Sequence, residues 1–242
     1  MTDEPMLPPP TPTTGGGDEP RTTHLYILLD RSGSMEAIAG DVIGGFNRWL
    51  RTQQADGDDA VVTFVQFDGT DPQEVLAADV GIRDVAELDA TTFVPRGSTP
   101  LLDATGRLIA RADQRERIRR DLGAPPEAIV FVSITDGHEN ASAEFSLDQI
   151  RRQISDRERR GWTFAFLSAA ADAYDEAGSM GYHPGSVQEF AGDGPGAAMA
   201  FASLSHATSK VREWNRGDSI RDDAGFFGEE KPAEADRKRR GH

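Results

Sequence analysis

The apolar run His24-Leu25-Tyr26-Ile27-Leu28-Leu29 ends directly in Asp30-Arg31-Ser32-Gly33-Ser34, so a carboxylate and two hydroxyls emerge together where a buried strand should stop. Two later segments offer matching groups. Gly97-Ser98-Thr99-Pro100 carries a third hydroxyl at Thr99, and the apolar run from Ala128 to Ile134 ends in Thr135-Asp136-Gly137, a second carboxylate at a strand end. Asp30, Ser32, Ser34, Thr99 and Asp136 all present oxygen and nothing softer. A small dication such as Mg2+ takes about six oxygen ligands at roughly 2.1 Å and usually keeps some water. The chain has no Cys, which excludes thiolate zinc and iron–sulfur chemistry. Two carboxylates would neutralise the ion. Three neutral hydroxyls would add ligands without charge, leaving the metal electrophilic toward an acid arriving from outside.

Three separated loops can meet only if the elements behind them bring them together. From residue 24 short apolar runs alternate with helical periodicity, which predicts an α/β fold: a doubly wound, mostly parallel sheet with helices on both faces. Strands are expected at Leu25 to Leu29, Val61 to Phe67, Ile129 to Ile134, Trp162 to Leu167 and Val187 to Phe190. Glu74 to Val80 follows Phe67 too closely for a crossover helix, so it is expected as an antiparallel edge strand. Ile38, Val42, Ile43, Phe46, Trp49 and Leu50 recur at three- and four-residue steps and mark a helix from about Glu36 to Gln54. Further helices are expected over Leu101 to Arg120, Leu147 to Arg160, a short stretch near Asp172 to Ala177, and Pro195 to Trp214, the last burying Met199, Phe201, Leu204, Val211 and Trp214. In open sheets of this kind ligands bind beyond the carboxyl ends of the strands, where the winding reverses. Asp30 and Asp136 each end such a strand. If those strands are neighbours across the switch point, the loops meet without strain.

Asp30-x-Ser32-x-Ser34, then Thr99, then Thr135-Asp136-Gly137 resembles the metal-ion-dependent adhesion site of von Willebrand factor type A (VWA) domains, in order and approximate spacing. The resemblance covers roughly residues 23 to 215 and is greatest to small, free-standing bacterial members. It implies a doubly wound sheet with Mg2+ on its top face, Mn2+ being the alternative ion, and a coordination shell completed by Asp or Glu from a partner protein. It implies that Ser32, Ser34 and Thr99 are direct ligands, with Asp30 and Asp136 acting directly or through bound water. It implies no enzymatic activity.

At 242 residues the chain suits one well-buried α/β domain with tails. The expected division is a disordered Pro/Gly-rich tail over 1–22, the domain over 23–215 and a charged tail over 216–242. With 41 acidic and 26 basic residues the net charge is −15, which argues against a nucleic-acid partner. No apolar run approaches the roughly 18 residues of a membrane span, and residues 1 to 17 hold acids and prolines where an export signal would hold basic and apolar stretches. The expectation is a cytoplasmic monomer.

A lone Asp-x-Ser-x-Ser can be a mere helix cap; the conjunction of three loops is what favours a metal. Asp103 reads equally as a support for the site or as an ordinary first-turn acid. Asp68 could reach the same face or cap a turn, and Glu139 and Asn140 could line the rim or sit in a solvated loop. His24, His138, His183, His206 and His242 are scattered singly, without zinc or general-base spacing. The arginines of 111 to 120 and 151 to 160 read as solvated helix faces, the sharper alternative being a basic surface for an acidic partner. Two functions compete: a non-catalytic, Mg2+-dependent protein-binding module, and a metal-dependent hydrolase or phosphatase. No histidine or lysine stands beside the motif as a base, and neither a nucleophile elbow nor a phosphate-cradling loop occurs, so the binding module leads.

Overall fold

The computed structural model describes residues 21–219, 225–228 and 231–241. Residues 1 to 20, nearly all of the expected N-terminal tail, and His242 lie outside the described residues. Six strands form one sheet: β1 (Thr23–Asp30), β2 (Ala60–Phe67), β3 (Glu74–Gly81), β4 (Ala128–Thr135), β5 (Thr163–Ser168) and β6 (Val187–Glu189), in the order β3-β2-β1-β4-β5-β6. All pairings are parallel except β2 with β3. The predicted doubly wound sheet with one antiparallel edge strand is therefore present. The chain winds outward from β1 to β3, then returns to place β4 on the other side of β1. That reversal sets the ends of β1 and β4 side by side.

Every residue of β1 is buried, as expected for a central strand covered on both faces. Leu25, Ile27 and Leu29 face one layer, made by α1 (Ala39–Ala55) and α5 (Gly194–Arg216); there Phe46 stacks on Phe64 with ring centroids 4.5 Å apart. Tyr26 and Leu28 face the other, made by α2 (Leu101–Asp121), α3 (Leu147–Glu158) and the short α4 (Ala173–Met180). The period-two alternation of β1 thus assigns its side chains to two separate cores. At the opposite end of the sheet from Asp30, His24 is fully buried between Glu127, 3.1 Å from Nδ1, and Thr63, 2.9 Å from Nε2. It is a structural histidine.

Three details differ from the expectation. The helix anticipated from Glu36 is a 3₁₀ turn over Gly33–Ile38 followed by α1, the two separated at Ile38 by a φ of −119°. The tighter turn eclipses positions three apart, which lets Met35 and Ile38 reach the core together while Ser34 stays at the surface. In α5, Phe201, Leu204 and Val211 are buried, but Met199 and Trp214 are only partly so. The stretch from 216 onward carries α6 (Pro232–Arg240), and Phe226, Phe227 and Ala233 join the core beside α5. That segment also covers the three-residue edge strand β6. Lys231 Nζ donates to the Val187 carbonyl at 2.7 Å, and Phe227 N donates to the Gly185 carbonyl at 3.0 Å. Closing an edge in this way prevents it from pairing with other chains.

Candidate metal centre

Asp30 stands at the end of β1 with no exposed surface. Its Oδ1 accepts the Ser32 amide at 2.6 Å and its Oδ2 accepts the Thr135 hydroxyl at 2.6 Å. One carboxylate therefore ties the β1 loop to the last residue of β4. The Ser32 and Ser34 hydroxyls lie 3.0 Å apart, and Ser34 Oγ donates to Asp136 Oδ1 at 2.7 Å. Thr99 reaches the same point from the third loop: a Cβ placed on Gly137 would lie 3.4 Å from Ser34 Oγ and 3.6 Å from Thr99 Oγ1. The structure thus brings all five predicted residues to one spot.

Backbone bonds hold the loops in register. Gly33 N donates to the Gly97 carbonyl at 3.1 Å, and Arg96 N to the Arg31 carbonyl at 2.8 Å. Thr99 is clasped by Asn140, whose Oδ1 accepts the Thr99 amide at 2.9 Å while its own amide donates to the Thr99 carbonyl at 3.1 Å. The loop needs Gly97 at a φ of +70°, a conformation with a steric penalty for other residues. It also packs on Gly69, where a Cβ would meet Ser98 Oγ at 2.1 Å and Ser98 N at 3.0 Å. Gly69→Val is therefore expected to push residues 97 to 99 outward and lower divalent-ion affinity about 10–100-fold, the usual effect of losing a support behind a ligand. Calorimetric titration beside an unchanged circular dichroism spectrum checks this; unaltered affinity would show that the Thr99 loop does not depend on this contact.

The residues left open on sequence now have places. Asp103 is a staple: its carboxylate accepts the amides of Ala143, Glu144 and Phe145 at 2.8–2.9 Å, fastening the loop after β4 to the start of α2. Glu139 returns the favour by accepting the Leu102 amide at 2.9 Å, a cap on the first turn of α2. Among the described residues Asp68 makes no hydrogen bond to the five side chains; its carboxylate pairs instead with Arg31 and Arg96. Burial opposes its ionisation, but the amides of Asp71 and Thr70 and the guanidinium groups of Arg96 and Arg31 outweigh that and hold its carboxyl below the usual range. Thr135 enters the sequence reading only as part of the Thr135-Asp136-Gly137 motif and not as a candidate ligand. Its position beside Asp136 was the available signal, and its hydroxyl orients Asp30 while accepting the Gly137 amide at 3.1 Å.

The donor set fits a small, hard dication. Among the described residues no Lys, Arg or His pairs with Asp30 or Asp136, and the Thr99 hydroxyl makes no hydrogen bond. Burial pushes the Asp30 carboxyl up to about 7, and the charge of Asp136 adds to the effect; burial raises Asp136 as well. A buried carboxylate beside a half-buried one, with no countercharge among the described residues, is what an arriving dication would stabilise. No group of three or more His, Cys, Asp or Glu side chains forms a metal cage among the described residues, so the arrangement rests on hydroxyls completing two carboxylates. His138, the histidine next in sequence to the site, is exposed with its Nδ1 3.3 Å from Asp172.

No protein-family model and no curated protein sequence matches the chain. Solved structures do match its fold. The VWA domain of SpRpn10 superposes with a TM-score of 0.50 at 12% identity, covering 76% of this chain and 95% of that one. The manganese-loaded TRAP protein of Plasmodium vivax gives a TM-score of 0.50 at 15% identity, over 76% and 72%. The pilus adhesin SpaC of Lactobacillus rhamnosus GG gives 0.58 at 13% identity, over 79% of this chain and 31% of the adhesin. With its six-stranded sheet, single antiparallel edge and helices on both faces, this chain has the fold of a von Willebrand factor type A domain.

Proposed function

We propose that the protein is a non-catalytic binding module in which a divalent ion, Mg2+ in the first instance, bridges Asp30, Ser32, Ser34, Thr99 and Asp136 to an Asp or Glu side chain of a partner protein. The observation that carries this reading is the linked row Asp30–Ser32–Ser34–Asp136 beside the Thr99 hydroxyl, unbonded among the described residues, at the switch point of the sheet. Once bound, the ion would supply a Lewis-acidic point for an outside carboxylate. The chain's own part is to present oxygens already in place. Asp30 and Asp136 bring two negative charges for two positive ones, Ser34 stands exposed at the mouth, and Thr135 and Asn140 fix the loops from behind. That the TRAP structure, on the same fold, is manganese-loaded supports a divalent ion for this module in general.

The non-catalytic reading is supported by the surroundings. Catalysis by such a site needs a group to take or give a proton within hydrogen-bond reach. His138 is engaged with Asp172, and the Asp30 carboxylate is already committed to two donors. No helix among the described residues is long and apolar enough to cross a membrane.

Immobilised protein is expected to capture its partner in Mg2+ and release it in a chelator. Thr99→Ala, which removes one neutral oxygen without touching the charge balance, is expected to weaken capture about 10–100-fold with an unchanged circular dichroism spectrum. Capture that survives chelation, or is indifferent to Thr99→Ala, contradicts the reading.

A further inference from the structure

The loops that meet at the site, residues 31–38, 68–74, 94–100 and 136–146, contain seven Asp or Glu residues and only two basic ones, Arg31 and Arg96. With a chain charge of −15, this face repels acids unless fixed positive charges intervene. Arg31 is spent internally: it is buried and pairs with Asp68 and Glu74. Arg96 is different. Its Nε donates to Asp68 Oδ2 at 3.0 Å, its side chain is 48% exposed, and among the described residues its two Nη groups have no hydrogen-bond partner.

Asp68 cannot absorb that free edge. Its Oδ2 already accepts Arg31 Nε and Arg96 Nε, and its Oδ1 accepts the amides of Thr70 and Asp71. Arg96 is thus anchored through Nε with its fork turned to solvent, the orientation that a bidentate carboxylate requires. Its place is set by the sheet. Asp68 follows Phe67, the register partner of Asp30, and Arg96 N bonds the carbonyl of Arg31. Neighbouring strands lie about 5 Å apart, so Asp68, which holds Arg96, and the Arg96 backbone both lie on the strand and loop directly beside the end of β1. Acids two residues apart on an extended peptide are separated by about 7 Å.

We propose that Arg96 is a second anion-recognition point beside the metal position, so that the preferred partner segment carries two acidic residues one to three positions apart, one directed to the ion and the other taken by the Arg96 fork. This rests on the binding function proposed above. It turns a site that would accept any exposed carboxylate into one that reads spacing.

The test uses the ¹⁵N-labelled full chain titrated with neutral-capped Gly/Ser heptapeptides that hold either one Asp, or an Asp and a Glu separated by zero to four residues. Titrations are followed by NMR in Mg2+ and in EDTA. The expected result is at least tenfold tighter binding of the best diacid over the monoacid in Mg2+, with a shift of the Arg96 Nε resonance for the diacid alone. In Arg96→Gln the preference should fall below twofold while calorimetric Mg2+ uptake is unchanged, and Arg96→Lys should restore only part of it. Equal binding of monoacid and diacid, or a preference that survives Arg96→Gln, overturns the role of Arg96 and leaves the metal-dependent function standing. If no peptide binds in Mg2+, or if binding ignores EDTA, the underlying function falls, and the role of Arg96 with it.

Discussion

Asp30→Asn is expected to abolish the stabilisation of the protein by Mg2+. The wild-type chain at an Mg2+ concentration about 100 times the dissociation constant should gain about 2.7 kcal/mol, which for a domain of this size raises the melting temperature by roughly 5–10 °C. Asparagine preserves the shape of the site and can still accept the Ser32 amide, now held at 2.6 Å. What it removes is charge. Asp136 alone would face the dication, and the expected loss of affinity is of the order of 100-fold or more, beyond the range typical of a support residue. The metal-free variant should be no less stable than the metal-free wild type. Burial raises the Asp30 carboxyl from 3.8 to about 7 in the folded chain, so its ionised form opposes folding, and that opposition grows as pH rises from about 4 through 7. Removing the charge lifts it. Differential scanning fluorimetry with Mg2+ and with EDTA checks both statements; an undiminished Mg2+ response in Asp30→Asn would contradict the site.

The largest effect on stability is expected far from the site, at Arg212. This side chain is fully buried at the end of α5, where Nη1 donates to the Gln53 carbonyl at 2.6 Å and Nη2 to the Gly57 carbonyl at 3.2 Å, and the guanidinium pairs with Asp59. It therefore fastens α5 to the α1–β2 connection. Arg212→Met fills similar space but strands those carbonyls and leaves Asp59, among the described residues, paired with Arg216 alone, at 3.2 Å. Breaking a buried pair from one side typically costs about 3–5 kcal/mol, a fall of roughly 10 °C. The pH dependence has a definite sign. Burial works against the Asp59 charge, but Arg212 and Arg216 more than offset it and hold its carboxyl below 3.8. That contribution is complete above the unfolded value and is lost as pH falls through the folded one. The gap between wild type and variant should accordingly be widest above about pH 5 and narrow toward pH 2 in thermal melts. A constant gap would assign the effect to packing alone.

The strands β1, β2, β4 and β5 were legible because each is a dense apolar run bounded by polar loops, whereas β3 was read from its short connection to β2. The adjacency of Asp30 and Asp136 was conditional on β1 and β4 being neighbours across the switch point, and the sheet order meets that condition. Other features were illegible for physical reasons. Periodicity cannot distinguish a 3₁₀ turn over Gly33–Ile38 from the first turn of α1, because Met35 and Ile38 are spaced correctly for either. Phe226 and Phe227 are two aromatics in a stretch dominated by charge, so no repeating pattern announces that they enter the core. The reciprocal capping by Asp103 and Glu139 joins residues 36 positions apart and exists only once α2 and the loop after β4 are placed. Arg96, likewise, lies in a loop with no periodic signal; its orientation depends on Asp68, 28 residues earlier.

The central claim is that five oxygen-bearing side chains at the carboxyl ends of β1 and β4 hold one dication. Isothermal titration of Mg2+, with Mn2+ in parallel, into the folded full chain at neutral pH tests it most directly. One ion per chain with wild-type protein, and no measurable heat with Asp30→Asn, is the predicted result. Absence of uptake by well-folded wild-type protein, or equal uptake by both proteins, would contradict it.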